Sequence, residues 1–145
     1  MRRVSSAAAG LVVCAFVMLA AAGCSAGQAG TRAGGTALRV TVRDFRIIAP
    51  KHVTAGDYRL SVKNKGPDAH ELIVVREQGP QLPLRPDGVT VDEELLEPDT
   101  LGTLEPGEPG GLRNLEVHLA PGRYVLFCNM SGHYLGGMHA VLVVR

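Results

Sequence analysis

Four stretches of this chain alternate apolar and polar residues with a period of two: LRVTVRDF (38–45), YRLSVKN (58–64), LEVHL (115–119) and RYVLFC (123–128). Successive side chains of a strand point to opposite faces, so each stretch can bury one side and wet the other only as a strand. ELIVV (71–75) and AVLVV (140–144) are nearly continuous apolar runs, short enough to be strands buried more deeply. Turn-rich TAGD (54–57), KNKGPD (63–68) and APGR (120–123) punctuate them. The pattern predicts an all-β fold, an antiparallel β-sandwich of two sheets. No internal repeat is present and no long helical period fits.

The first residues read differently. Arg2 and Arg3 precede an uncharged run from Ala7 to Gly23 that ends in LAAAGC (19–24). A positive start, an apolar run and small residues at its end predict an export signal over 1–23. The cysteine that follows resembles the bacterial lipobox, with Ala21 where Leu or Val is common, and the resemblance implies a lipid on Cys24. SAGQAGTRAGGTA (25–37) has no apolar period and is expected to complete a flexible linker over 24–37. Residues 38–145 then form one domain. This organisation predicts a lipid-anchored protein on the outer face of the cell membrane.

Cysteine usage sharpens the problem. With Cys14 in the signal and Cys24 lipidated, Cys128 is the one thiol left, so the domain has no internal disulfide. A lone thiol outside the cytoplasm is open to oxidation unless it is buried or its sulfur is occupied.

Residues 77–111 depart from the rest. They hold six of the nine prolines, and Glu77, Asp87, Asp92, Glu93, Glu94, Glu97, Asp99, Glu105 and Glu108 against one base, Arg85. This acidic Pro/Gly-rich insert is expected to be a long solvated connection between strands, with a charged docking surface as the sharper alternative. Thr90 and Glu93 have capping-box spacing, which predicts a helical turn there.

Chemistry concentrates in FCNMSGHYLGGM (127–138), where Cys128, His133 and Met138 are spaced C-x4-H-x4-M. The cysteine ends one expected strand and the methionine precedes the next. The glycines between them allow a tight loop that could point thiolate, imidazole and thioether at one place. That donor set is soft and suits copper, whereas structural zinc takes four Cys or His ligands. Among His52, His70, His118 and His139, His70 is the best fourth ligand, because it opens a buried strand after KNKGPDA. Met130 is read as packing.

VKNKGPDAHEL (62–72), followed by PGRYVLFCNMSGHYLGGM (121–138), resembles the cupredoxin family of plastocyanin, azurin, auracyanin and rusticyanin type. The resemblance covers 38–145 apart from the acidic insert. It implies a Greek-key sandwich and one copper ion held by His70, Cys128, His133 and Met138. It implies a one-electron carrier between a redox donor and acceptor, not an enzyme, because four protein ligands leave no position for a substrate. The ring edge of His133, with Tyr134 and Leu135 beside it, would face those partners. Glu71 stands where many members carry Asn. Its carboxylate cannot donate a hydrogen bond, so the tie between the ligand loops must differ. Two other functions remain compatible: copper storage or delivery, and a cupredoxin-like binding module without metal. No phosphate-binding Gly-rich loop, catalytic triad spacing or basic aromatic patch for nucleic acid is found.

Overall fold

A computed structural model describes residues 34–145. The expectations for the export signal and for Cys24 lie outside the described residues. Among the described residues, nine strands form two sheets. The first contains β1 (Thr36–Arg43), β2 (Arg46–Ile48), β4 (Gly56–Asn64) and β7 (Leu112–Leu119), in the order β2-β1-β4-β7. The second contains β3 (His52–Val53), β5 (His70–Arg76), β6 (Thr100–Gly107), β8 (Gly122–Phe127) and β9 (His139–Val144), in the order β3-β9-β8-β5-β6.

The alternation seen in the sequence becomes the core. Leu38, Val40 and Val42 of β1 and Leu60 and Val62 of β4 turn inward. They join Leu72 and Val74 of β5, Leu126 of β8, and Leu142 and Val144 of β9 in one apolar cluster. The sandwich is not wholly antiparallel, as the strand pattern alone suggested. β1 runs parallel to β4, and β3 parallel to β9. After β2 the chain crosses to the second sheet as β3 and returns as β4, which therefore enters beside β1 in the same direction.

The acidic insert is not the solvated connection expected of it. Its end is β6, an edge strand paired antiparallel with β5. Its earlier part is a cap on the outer face of the second sheet. There Leu82, Val91 and Leu96 pack on Ile73 and Val75 of β5 and on Val125 and Phe127 of β8. β5 is thus covered on both faces, which explains its unbroken apolar run. The acids Asp87, Glu94, Glu97, Glu105 and Glu108 remain exposed.

The predicted helical turn is present as α1 (Glu93–Leu96), but its cap differs. The Asp92 carboxylate accepts from the Leu95 amide at 3.4 Å. Thr90 is unavailable for a capping box because its hydroxyl donates to Asp87, whose carboxylate also gathers the amides of Val89 and Thr90. Among the described residues no helix is long and apolar enough to cross a membrane.

Candidate metal centre

His70, Cys128 and His133 meet at one end of the sandwich. One side-chain ligand atom of each lies within 4.8 Å of the others. Three different local structures deliver them.

His70 begins β5 and is 0% exposed. The turn before it is braced by Asn64, whose amide donates to Asp68 O at 2.8 Å and Gly107 O at 2.9 Å. Its side-chain oxygen accepts from the Gly66 amide at 2.9 Å. The motif N-x-G-x-x-x-H is therefore a built turn and not a loose spacing. His70 Nε2 lies 3.1 Å from Asp44 Oδ1. A carboxylate oxygen only accepts, so Nε2 is the donor in this contact, and in the neutral imidazole Nδ1 is then the nitrogen with a free lone pair. That Nδ1 is buried and has no hydrogen-bond partner. A buried polar atom left unpaired costs about 1–3 kcal/mol, so such a group in a native site calls for a ligand.

Cys128 directly follows β8 and is a buried free thiol. Its amide donates to Met138 O at 3.2 Å, which closes the base of the loop. Burial pushes the thiol up, partly offset by the Met130 amide. Inside the loop, the His133 amide donates to Met130 O at 2.8 Å and the Met138 amide to His133 O at 2.9 Å. His133 Nδ1 then sits 3.5 Å from Cys128 Sγ. Burial pushes this imidazole down, with His70 beside it as the next cause, which favours the neutral form, the form that ligates metal. The His70 and His133 ring centroids are 5.2 Å apart. Met138 is fully buried in the same apolar cluster as Cys128.

The alternatives for a fourth ligand separate cleanly. His52 is exposed on β3. His118 is exposed and lies 2.7 Å from Asp57. His139 is exposed, its ring 5.2 Å from that of Tyr134. Met130 packs against the main core.

Two residues tie the site to its scaffold in ways the sequence did not announce. Glu71, expected only to change the link between the ligand loops, makes that link itself as an acceptor. Its carboxylate takes the Asn129 amide at 2.5 Å. Burial pushes the Glu71 carboxyl up, and the Asn129 amide opposes it. Asn129 in turn pins the cap. Its side-chain oxygen accepts from Val91 N at 2.6 Å, and its side-chain nitrogen donates to Val91 O at 3.0 Å and Glu93 Oε1 at 2.7 Å. Adjacency to Cys128 was the one available hint. Replacing Glu71 with Ala is expected to lower stability by about 2 kcal/mol, the range for a hydrogen bond to a charged acceptor. Urea unfolding of the metal-free protein would measure it; Glu71→Gln, which can still accept, should lose less.

The surface over His133 also differs from expectation. Tyr134 faces the cap: its ring is 5.8 Å from that of Phe127 and its hydroxyl accepts from Leu82 N at 3.3 Å. Phe45, in the turn between β1 and β2, takes the place by the imidazole, with ring centroids 5.3 Å apart. Phe45 is 52% exposed and Leu135 53%. A half-buried imidazole therefore emerges beside two exposed apolar side chains.

One thiol and two imidazoles converge, Met138 is buried in the same cluster as the thiol, and Nδ1 of His70 is paired with no protein group. Two imidazoles, a cysteine sulfur and a methionine sulfur make a soft donor set, whose chemistry fits copper.

Neither a protein-family model nor a curated protein matches the chain. Solved structures do match it. Reduced auracyanin from the photosynthetic bacterium Roseiflexus castenholzii aligns with a TM-score of 0.56 and 20% identity, over 77% of this chain and 98% of that one. Rusticyanin from Thiobacillus ferrooxidans aligns with a TM-score of 0.56 and 16% identity, over 77% and 79%. Auracyanin A, a "blue" copper protein from Chloroflexus aurantiacus, aligns with a TM-score of 0.52 and 17% identity, over 74% and 99%. The chain has the β-sandwich fold of these proteins, the cupredoxin fold.

Proposed function

We propose that this chain, a cupredoxin fold with a complete soft donor set, is a blue-copper one-electron carrier. His70, Cys128, His133 and Met138 are the residues that would hold the copper. The observation that carries the reading is that His70, whose Nδ1 is buried and unpartnered, brings a ring nitrogen within 4.8 Å of ligand atoms of Cys128 and His133. Copper held there would supply a one-electron couple.

The chain's own residues do the rest. The Asn64 turn and the Cys128–Met138 backbone bond hold the donors on rigid strand ends, so little has to move between oxidation states. Burial of His70, Cys128 and Met138 excludes water. With four protein donors no position is left for a substrate, which favours a carrier over an enzyme. His133 is the ligand nearest solvent, and Phe45 and Leu135 form the apolar rim where a redox partner would dock. Export and a lipid on Cys24 would place the carrier at the outer face of the cell membrane, among membrane-bound donors and acceptors.

The rim is testable without knowing the partner. Electron self-exchange between the oxidised and reduced protein, read from NMR line broadening, requires two rims to meet. Leu135→Lys is expected to slow it about tenfold, a factor that corresponds to ~1.4 kcal/mol, while the visible band is unchanged. An unchanged exchange rate would rule this surface out.

A further inference from the structure

The tight turn between β1 and β2 carries Asp44 and Phe45, and neither belongs to the ligand set. Both nevertheless reach it. Asp44 Oδ1 is 3.1 Å from His70 Nε2, and the Phe45 ring meets the His133 ring edge-on at 5.3 Å. Phe45 has a φ of 53°, the one non-glycine residue with positive φ among those described. An aromatic residue adopts that conformation only where its surroundings impose it.

Two glycines make the room. A Cβ on Gly66 would stand 2.6 Å from Asp44 Oδ1 and 2.8 Å from His70 Nε2. A Cβ on Gly136 would stand 2.7 Å from Phe45 Cε1. Neither glycine has a positive φ, so what each position requires is space and not backbone freedom. Both loops that carry the imidazoles are thus shaped to receive this turn.

We propose that Asp44 is a positioning residue for the copper centre. It fixes His70 as the Nε2–H tautomer, which aims the Nδ1 lone pair at the metal, and its negative charge weights the couple toward Cu(II). Phe45, seated on Gly136 and against His133, locks the turn that presents the carboxylate. A ligand imidazole that donates its second N–H to a carboxylate is held in one orientation and is a stronger base. Asp44 is a partly exposed carboxylate, so water screens part of its field. The proposal rests on the blue-copper reading for its redox half and on the protein alone for its tautomer half.

The test uses Asp44→Asn and Asp44→Ala in the full chain. In the copper-loaded protein, Asp44→Asn keeps an acceptor for Nε2–H and removes the charge. The ratio of Cu(I) to Cu(II) affinity is expected to rise about tenfold, seen as a midpoint potential higher by about 59 mV, the one-electron equivalent of a factor of ten. A shift under twofold in that ratio, in a variant that keeps its visible band, would overturn the redox half. In the metal-free protein, ring 15N shifts are expected to report the Nε2–H tautomer of His70 in wild type and in Asp44→Asn, and a mixture in Asp44→Ala. A wild-type His70 in the Nδ1–H form would overturn the positioning half, whether or not any variant holds copper. A wild type that takes up no copper would instead remove the functional reading and the redox half with it, while the tautomer result would still decide the pairing.

Discussion

Asn129→Ala is expected to lower the folding stability by about 3 kcal/mol and to loosen the acidic cap. The side chain answers the buried amide and carbonyl of Val91 and adds a third bond to Glu93. Truncation leaves both backbone groups of Val91 unsatisfied, and Val91 is 0% exposed. Each orphaned buried group costs about 1–3 kcal/mol, so the sum is large for one small side chain. The loss has a direction as well as a size. Residues 80–99 should become sensitive to proteolysis before the sandwich does, because their other attachments are the small apolar cluster and single hydrogen bonds to Tyr134, Gly132, Gln78 and Thr100. A stability change under 1 kcal/mol, or a cap that resists protease as before, would show that the apolar cluster alone holds it.

Phe127→Ala is expected to cost about 4 kcal/mol, in the range for truncating a fully buried aromatic residue. Phe127 is 0% exposed, packs with Val91 and Leu96 of the cap and meets Tyr134 edge-on. It also precedes Cys128, so the void opens beside the ligand loop. Against a typical domain stability of about 5–15 kcal/mol, the variant should unfold at much lower urea concentration. Leu95, on the same cap and 66% exposed, is the control, and its replacement by Ala should change little. Equal effects of the two substitutions would contradict the assignment of the cap's inner face.

These two residues mark the boundary of what the sequence made legible. The sandwich could be read from period-two alternation, because each such stretch has one buried face whatever it pairs with. The cluster of candidate donors could be read because C-x4-H-x4-M is local and His70 closes a turn with its own signature. The cap could not. Leu82, Val91 and Leu96 lie at irregular intervals among prolines and acids, with no period to show that they share a face. Their burial depends on the outer face of β5, a contact distant in sequence. The same limit hid Asp44, which is 26 residues from His70, and led Tyr134 to be placed on the rim. A loop residue's direction is set by what it meets across space, and Tyr134 meets Leu82 and Phe127. Parallel pairing of β1 with β4 was equally out of reach, since alternation fixes a strand's faces and not its direction.

The donor set itself has the most direct test: the visible absorption spectrum of the protein after addition of Cu(II), recorded beside Cys128→Ser. An intense thiolate-to-copper band is expected in the wild type, bleaching with ascorbate, returning with ferricyanide, and absent from the variant. A wild type without that band, or one whose copper passes to a chelator as soon as it is reduced, would contradict an electron carrier and leave copper delivery or a metal-free binding module in its place.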